Sequence, residues 1–196
     1  MNKVYIGTSG WSYKGWEKAF YPHDLPKKQQ FQFYATQFPT VEINLTFYRL
    51  PTPNMIHGWR EKAPPGFVYA IKGSRYITHM KKLQNLYQAV DRFFERIEPL
   101  KKQIGVILWQ LPPFLQKGIA LLDDFLQKLP KSYAYAVEFR HPSWIDEEIH
   151  ILKQSRHRKT VFAYFNNDVN IRAPKNAKML MDMVGSGAVQ ALAEAA

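Results

Sequence analysis

Short apolar runs alternate with amphipathic stretches from the start of the chain to about residue 184. An uninterrupted apolar run between polar or turn residues is typical of a buried strand, whereas apolar residues that recur every three or four positions are typical of a helix. The pattern predicts strands at Val4–Gly7, Thr40–Asn44, Phe67–Lys72, Gly105–Leu111, Tyr135–Phe139 and Thr160–Phe165.

Helical patterns fill the intervals between these strands. The clearest is Asn85–Leu100, where Leu86, Val90, Phe93 and Ile97 share one face and charged residues occupy the other. The other predicted helices are Gln29–Phe38, Asn54–Lys62 after the start signal Thr52-Pro53, Ile119–Leu129, Ile145–Lys153 and Pro174–Val184.

This strand–helix alternation predicts an α/β fold in which helices cover a parallel sheet. An open doubly wound sheet and a closed (β/α) barrel both fit the pattern. No GxGxxG follows the first strand and no GxxxxGK[ST] occurs, so a dinucleotide-binding or Walker-type protein is disfavoured. We expect a single barrel-like domain over residues 1–184 and a small-residue tail over 185–196.

Composition narrows the class of protein further. Among 196 residues, 46% are hydrophobic and 15% aromatic, which favours a globular chain over a disordered one. The formal net charge of +11 points to anionic partners, and the absence of cysteine excludes disulfides and thiol catalysis. The N-terminus lacks the apolar run of a signal peptide and no segment is long enough to span a membrane, so we expect a soluble, cytoplasmic protein.

Polar and titratable residues follow every predicted strand. Because functional groups of a parallel α/β sheet gather beyond the carboxyl ends of its strands, these residues are the candidate site. In strand order they are Ser9 and Trp11; Glu42, Asn44, Thr46 and Tyr48; Lys72, Arg75 and His79; Gln110; Glu138, Arg140 and His141; and Asn166 and Asn167.

A purely structural interpretation of the two strand carboxylates stays open. A buried unpaired carboxylate costs several kcal/mol, so Glu138 must either act in a site or pair with Arg140 or Lys72. Glu42 has the same two interpretations, with Arg75 as its structural partner. For His79 and His141 the alternatives to a functional role are capping and core packing. No metal-ligand spacing is recognisable, so no cofactor is predicted and a divalent metal has no motif in its favour.

The segments YIGTSGWSYKGW, TVEINLTFYRLP, FVYAIKGSRYITHMKKL, ILWQLPP, VEFRHPSW and AYFNND resemble the successive motifs of the domain-of-unknown-function 72, or YecE-like, family. The resemblance covers roughly residues 3–184. It implies a TIM-type (β/α) barrel and carries no established activity or catalytic residue. It also supports the strand ends as the site, through Thr8, Phe47, Thr78, Pro112 and Trp144 as well as the candidates named above.

One departure from the family pattern affects the expected barrel. Members usually carry two more β/α units between the helix after HPSW and the last strand, so six strands are readable where eight close a TIM barrel. We expect a shortened or open barrel, a barrel completed by a partner's strands, or an incomplete version of a longer protein. Unpaired sheet edges favour association, so a homo-oligomer is expected.

The leading functional hypothesis is an enzyme, a hydrolase or isomerase, that acts on a small anionic substrate such as a phosphorylated sugar or nucleotide-like compound. Cationic side chains hold the anion and carboxylate or histidine groups transfer protons. Glycoside hydrolysis by the two strand carboxylates is a narrower version. The alternatives are a nucleic-acid-binding or processing protein and a non-catalytic scaffold. In the enzyme hypothesis Lys72, Arg75 and Arg140 bind the anion, Glu138, Glu42, His79 and His141 are acid–base groups, and Asn44, Gln110 and Asn166 orient hydroxyls.

Overall fold

The structure is a computed structural model that describes residues 3–144, 160–166 and 172–184. Each of the six strands in these ranges coincides with a strand that the apolar pattern predicts. The strands are β1 (Val4–Ser9), β2 (Thr40–Ile43), β3 (Val68–Lys72), β4 (Ile104–Gln110), β5 (Tyr135–Glu138) and β6 (Val161–Phe165). They form one parallel sheet in the order β5-β4-β3-β2-β1-β6, which confirms the α/β class.

Two strand registers place polar residues opposite each other. Strand β1 pairs with β2 so that Ser9 lies opposite Glu42, and β4 pairs with β5 so that Gln110 lies opposite Glu138. The last strand, β6, pairs in parallel with β1. Because parallel strands end at the same edge of a sheet, these registers bring candidate residues of different strands together.

The described helices largely follow the predicted ones. They are α1 (Gln30–Gln37), α2 (Leu45–Tyr48), α3 (Pro53–Lys62), α4 (Tyr87–Ile97), α5 (Ile119–Gln127) and α6 (Arg172–Val184). The predicted helix Ile145–Lys153 and the tail 185–196 lie outside the described residues. Within the described part of the chain, no helix combines the length and the apolar character needed to cross a bilayer.

The prediction of one helix over Asn85–Leu100 was too long at both ends. Asn85 has φ of 53°, in the left-handed region, so α4 begins only after it. At the other end α4 gives way to a 3₁₀ turn, Glu98–Gln103. Pro99 lies in this turn and has no amide hydrogen to continue the α-helical bonding pattern. The start signal of α3 is confirmed, since Thr52 Oγ1 accepts a 3.3 Å hydrogen bond from the amide of Met55.

Two short helical elements, which lie after β2 and after β3, were not predicted from the sequence. The segment between β2 and α3 contains the four-residue helix α2, and Tyr76–Met80 after β3 forms one turn of π-helix. Neither is long enough for an apolar period to be read. Both follow strands directly, so they determine where the side chains beyond β2 and β3 are placed.

The chain forms two compact units, and the first contains residues 3–43, 58–70, 160–166 and 172–184. Tyr34 of α1 is fully buried in it. Its hydroxyl accepts hydrogen bonds from the amide and the hydroxyl of Thr8 and donates one to the carbonyl of Thr40, each 3.0 Å long. One phenol therefore ties α1 to both β1 and β2 and uses its whole hydrogen-bonding capacity. Burial raises the pKa of Tyr34, so it remains a phenol.

The second unit contains residues 44–57 and 71–144. Its core is built around Trp109 of β4, which is 0% exposed. The indole packs against Phe93 of α4 and Phe125 of α5, with ring centroids 5.3 and 5.1 Å away. Gly73 meets the same ring from the end of β3, where a Cβ atom would lie 2.1 Å from an indole carbon. Glycine is therefore required at this position for steric reasons.

Candidate functional site

Polar side chains at the ends of β3, β4 and β5 form a group in the second unit. We call it the strand-end cluster. It consists of Lys72, Arg75, His79, Gln110, Glu138 and Arg140, all of which the sequence pattern predicts as site residues. Gln110 is buried, whereas Arg75 and Arg140 are exposed, so the cluster reaches from the sheet to solvent.

Glu138 is held by two neighbours through charge-assisted hydrogen bonds. Gln110 Nε2 donates to Oε2 at 2.8 Å, and Arg140 Nε donates to Oε1 at 2.6 Å. Partial burial pushes the pKa of Glu138 up, but the bonds from Arg140 and Gln110 and the charges of Arg140 and Lys72 outweigh it, and the pKa lies below its ordinary value. Glu138 is therefore a carboxylate at neutral pH. The predicted Glu138–Arg140 ion pair is confirmed.

His79 lies on the π-helical turn Tyr76–Met80. Its Nδ1 is 2.8 Å from Thr78 Oγ1, and its ring meets that of Phe47 edge to face at 5.0 Å. Burial lowers the pKa of His79, and the positive charges of Arg140, Arg75 and Lys72 lower it further. The imidazole is therefore neutral at neutral pH, which leaves it free to accept a proton.

Lys72 occupies the last position of β3, beside α2. Its Nζ lies 5.1 Å from the ring centroid of Phe47, and its backbone carbonyl accepts a 2.6 Å hydrogen bond from Thr46 Oγ1. The hydroxyl of Thr46 thus anchors the strand end that carries Lys72. Asn44 precedes α2, and its carbonyl accepts a hydrogen bond from the amide of Phe47.

His141 belongs to a local turn. Its Nδ1 accepts a 3.1 Å hydrogen bond from the amide of Ser143 and lies 2.8 Å from Ser143 Oγ, at the start of the 3₁₀ turn Pro142–Trp144. The indole of Trp144 is buried and donates to the carbonyl of Leu115 at 2.8 Å. These contacts favour the capping interpretation of His141, whereas His79 lies among cationic side chains.

Three of the predicted site residues, Ser9, Trp11 and Glu42, lie in the first unit. Ser9 and Glu42 are both buried, and Ser9 Oγ donates to Glu42 Oε1. Trp11 packs edge to face on Phe31, with centroids 5.1 Å apart. The hydrogen bond between Ser9 and Glu42 follows from the register of β1 and β2, which places the two residues opposite each other.

Two asparagines were predicted beyond the last strand. Asn166 is exposed directly after β6. Asn167 lies outside the described residues, so its place in the site stays a prediction. Among the residues that the structure describes, no three His, Asp or Glu side chains group in a way that could hold a metal ion.

A cavity of about 550 Å³ lies elsewhere in the second unit, between α2, the π-helical turn and α4. We call it the α2–α4 cavity. Only Tyr48 of its lining was predicted as a site residue, and the others are Arg49, Leu50, Ser74, Tyr76, Ile77, Lys81, Asn85, Gln88, Ala89, Arg92 and Phe93. The available signal was the mixture of tyrosines and basic residues in the segments FYR and SRYITHMKK.

The chain is similar to known proteins in sequence and in fold. A family model described as "Protein of unknown function DUF72" matches residues 5–159. The chain is 32% identical over 161 residues to UPF0759 protein YecE of Escherichia coli, an alignment that covers 81% of this chain and 57% of YecE. It is 23% identical over 150 residues to UPF0759 protein YunF of Bacillus subtilis, covering 72% and 52% of the two chains. The chain therefore spans little more than half the length of these relatives.

Two solved structures share the fold. A DUF72 family protein from Thermotoga maritima superposes with a TM-score of 0.76 at 24% identity, covering 93% of this chain and 99% of the other. A DUF72 family protein from Enterococcus faecalis superposes with a TM-score of 0.72 at 15% identity, covering 94% and 98%. At these identities the likeness extends to the fold alone.

Proposed function

The chain belongs to the DUF72 family of proteins of unknown function. We propose that its strand-end cluster is the active site of an enzyme that acts on a small anionic substrate. The observation that carries the proposal is the environment of His79, whose pKa is lowered by burial and by three cationic side chains, Arg140, Arg75 and Lys72. A phosphorylated sugar or a nucleotide-like compound has the charge that such a group of cations attracts.

Two of the three cationic side chains are held in place by neighbours, and the third is exposed. Arg140 is oriented by Glu138, and Lys72 is placed by its strand and by the ring of Phe47. Arg75 is exposed and carries a guanidinium that can bind a phosphate through two hydrogen bonds. Three cations against the one carboxylate of Glu138 leave the cluster with a positive charge that a bound anion would offset.

Proton transfer in this proposal falls to His79. A neutral imidazole beside a bound anion can accept a proton from the substrate, and the imidazolium that forms is then stabilised by that anion. Glu138 is ionised and already engaged by Arg140 and Gln110, so it acts as a positioning residue. Glu42 lies in the first unit, where Ser9 Oγ donates to its buried side chain, so its role as a base stays a prediction.

Sulfate is a suitable probe of the anion site because its charge stays constant through a histidine titration. We expect NMR titration of the wild type to give a His79 pKa below the usual value of about 6.5, and sulfate to raise it relative to chloride at equal ionic strength. Lys72→Gln is expected to raise the His79 pKa and to weaken the response to sulfate, because it removes one of the cations that act on the imidazole.

Lys102→Gln is the matched control, since Lys102 is an exposed lysine of the same unit on the turn Glu98–Gln103. Its His79 titration should match that of the wild type. Equal responses to sulfate in wild type and Lys72→Gln would mean that sulfate acts by general screening. That result would favour the non-catalytic scaffold over the enzyme.

We further propose that the sheet is part of a TIM-type barrel from which two β/α units are absent. Support comes from the strand order, in which β1 to β5 are consecutive neighbours and the last strand, β6, lies beside the first. This is the arrangement of first and last strands in a (β/α)₈ barrel. A crystal structure in which β5 pairs directly with β6 would contradict it.

The open sheet leads to a prediction about assembly. In the described part of the chain β5 and β6 are the outer strands of the sheet, and each has one neighbour. Exposed strand edges favour association, so we expect sedimentation velocity to show a homo-oligomer whose population rises with protein concentration. A monomer over the whole accessible concentration range would count against association through these edges.

A further inference from the structure

We infer that the α2–α4 cavity binds a nucleoside phosphate unit, with the base against its tyrosines and the phosphate against its basic residues. None of the lining residues belongs to the strand-end cluster, although Arg75 of that cluster lies 5.8 Å from the centroid of the Tyr48 ring. The inference does not depend on the function proposed for the strand-end cluster. Its volume of about 550 Å³ falls within the range of about 300–1,000 Å³ typical of small-molecule sites.

The charge of the lining favours an anion. Three of the lining residues, Arg49, Lys81 and Arg92, are cationic, and none is Asp or Glu. They come from three different segments, one after α2, one after the π-helical turn and one from α4. Tertiary folding thus gathers separate positive charges around one cavity, which is the arrangement that phosphate binding requires.

The exposed aromatic side chains of the lining favour a ligand that contains a planar ring. Tyr48 is 67% exposed and Tyr76 is 43% exposed, in contrast to the fully buried tyrosines of the first unit. Lys81 Nζ lies 5.7 Å from the centroid of the Tyr76 ring, so a ring and a charge of the cavity are already neighbours. Stacking of a base on an exposed aromatic ring beside a phosphate-binding cation is the mode by which proteins bind single-stranded nucleic acid and its components.

Backbone strain is concentrated beside the cavity. Lys82, Leu83 and Asn85 have φ of 49°, 65° and 53°, although none is glycine. The left-handed region is strained for a residue with a side chain, and residues held in it cluster at ligand-binding segments. They join the π-helical turn, itself a feature frequent at functional sites, to α4. The run buries Leu83 completely and at the same time brings Lys81 and Asn85 into the lining of the cavity.

The rest of the lining contains both polar and apolar side chains, as a site for a nucleoside would require. Ser74, Asn85 and Gln88 offer hydrogen-bonding groups in the lining, and Ile77 and Phe93 provide a buried apolar surface. A sugar hydroxyl or the edge of a nucleobase can form hydrogen bonds with these polar groups. The chemistry is shared by a free nucleotide and by one unit of a single strand.

The test uses adenosine monophosphate in calorimetry and a fluorescent single-stranded oligothymidylate in anisotropy, both with the full chain at low salt. Tyr76→Leu is expected to weaken binding by about tenfold, because a base–aromatic stack is lost, while Tyr76→Phe keeps wild-type affinity. Lys81→Gln and Arg92→Gln are expected to weaken binding and, for the oligonucleotide, to reduce the salt slope by about one unit each. Circular dichroism checks that the variants are folded.

Three results would support the inference and identify the source of the ligand. Binding of the nucleotide alone indicates a free nucleotide, binding of the oligonucleotide alone indicates a strand, and binding of both indicates that the unit is recognised in either form. Lys102→Gln, which lies outside the lining of the cavity and outside the strand-end cluster, should bind as the wild type does.

Three other results would overturn it. One is no binding of either probe by the wild type, and another is a Tyr76→Leu variant that binds as tightly as the wild type. The third is an equal loss of affinity in Lys102→Gln and Lys81→Gln, which would mean that net charge alone attracts the probe. A failure here leaves the sulfate response of His79 untouched, so the two proposals are tested separately.

Discussion

Trp109→Ala is expected to lower the free energy of unfolding by about 3–5 kcal/mol, the usual cost of removing a large buried aromatic side chain. The indole is 0% exposed and contacts helices on both sides through Phe93 and Phe125. The walls of the resulting cavity cannot collapse fully, because they belong to different elements that other contacts hold in place. Domains are stable by about 5–15 kcal/mol, so much of the stability is lost.

Urea denaturation followed by circular dichroism measures the effect, and Trp109→Phe is the matched control. Within the described residues the indole N–H of Trp109 is buried without a hydrogen-bond partner, so phenylalanine removes an unpaired donor while it keeps most of the packing. We expect its cost to be well below that of alanine. An alanine variant as stable as the wild type would show that Trp109 is not the centre of this core.

His79→Gln is expected to reduce turnover of the substrate by about 10²–10⁴-fold, the usual contribution of a proton-transfer group. The wild-type rate should fall only below the ordinary histidine pKa, because the pKa of His79 is lowered by burial and by neighbouring cations. As the pH rises through that lowered pKa, the imidazole loses its proton and becomes an active base. The measurement is the pH–rate profile on the member of a panel of sugar phosphates and nucleotides that the wild type converts.

Glu138→Gln separates a positioning role from a proton-transfer role. It removes the one carboxylate of the strand-end cluster, so the cations act on His79 without compensation and the pKa of the imidazole falls further. The acid limb of the pH–rate profile should therefore move to lower pH. A profile unchanged by Glu138→Gln, or a panel on which the wild type has no turnover, would count against the enzyme.

Local patterns predicted most of the secondary structure. All six strands found among the described residues were predicted from short apolar runs, since the period and length of such runs depend on neighbouring residues alone. The errors lie where a single residue interrupts a period, as at the left-handed Asn85 and at Pro99. The four-residue helix α2 was missed because it is shorter than the period that would reveal it.

For the candidate site, the positions of the residues could be predicted from the sequence but their roles could not. The strand-end residues were identified because in a parallel sheet the end of every strand faces the same edge. Their roles were not predictable, since His79 and His141 are both histidines after a strand. His79 lies near Lys72 and Arg75 of its own segment and near Arg140 from a distant strand end, whereas His141 caps its own turn through Ser143. The α2–α4 cavity was missed because its lining is spread from residue 48 to residue 93.

Sequence patterns alone therefore predict the α/β class, the six strands of the described residues and the residues at the ends of those strands. Each of these features follows from contacts or spacing within a few residues. The tertiary structure alone decided which partner each group has. Gln110 and Glu138 are 28 positions apart and meet only through the register of β4 and β5. A pKa, an ion pair and a cavity all depend on distances in space, and chain folding brings together charges that the linear order keeps apart.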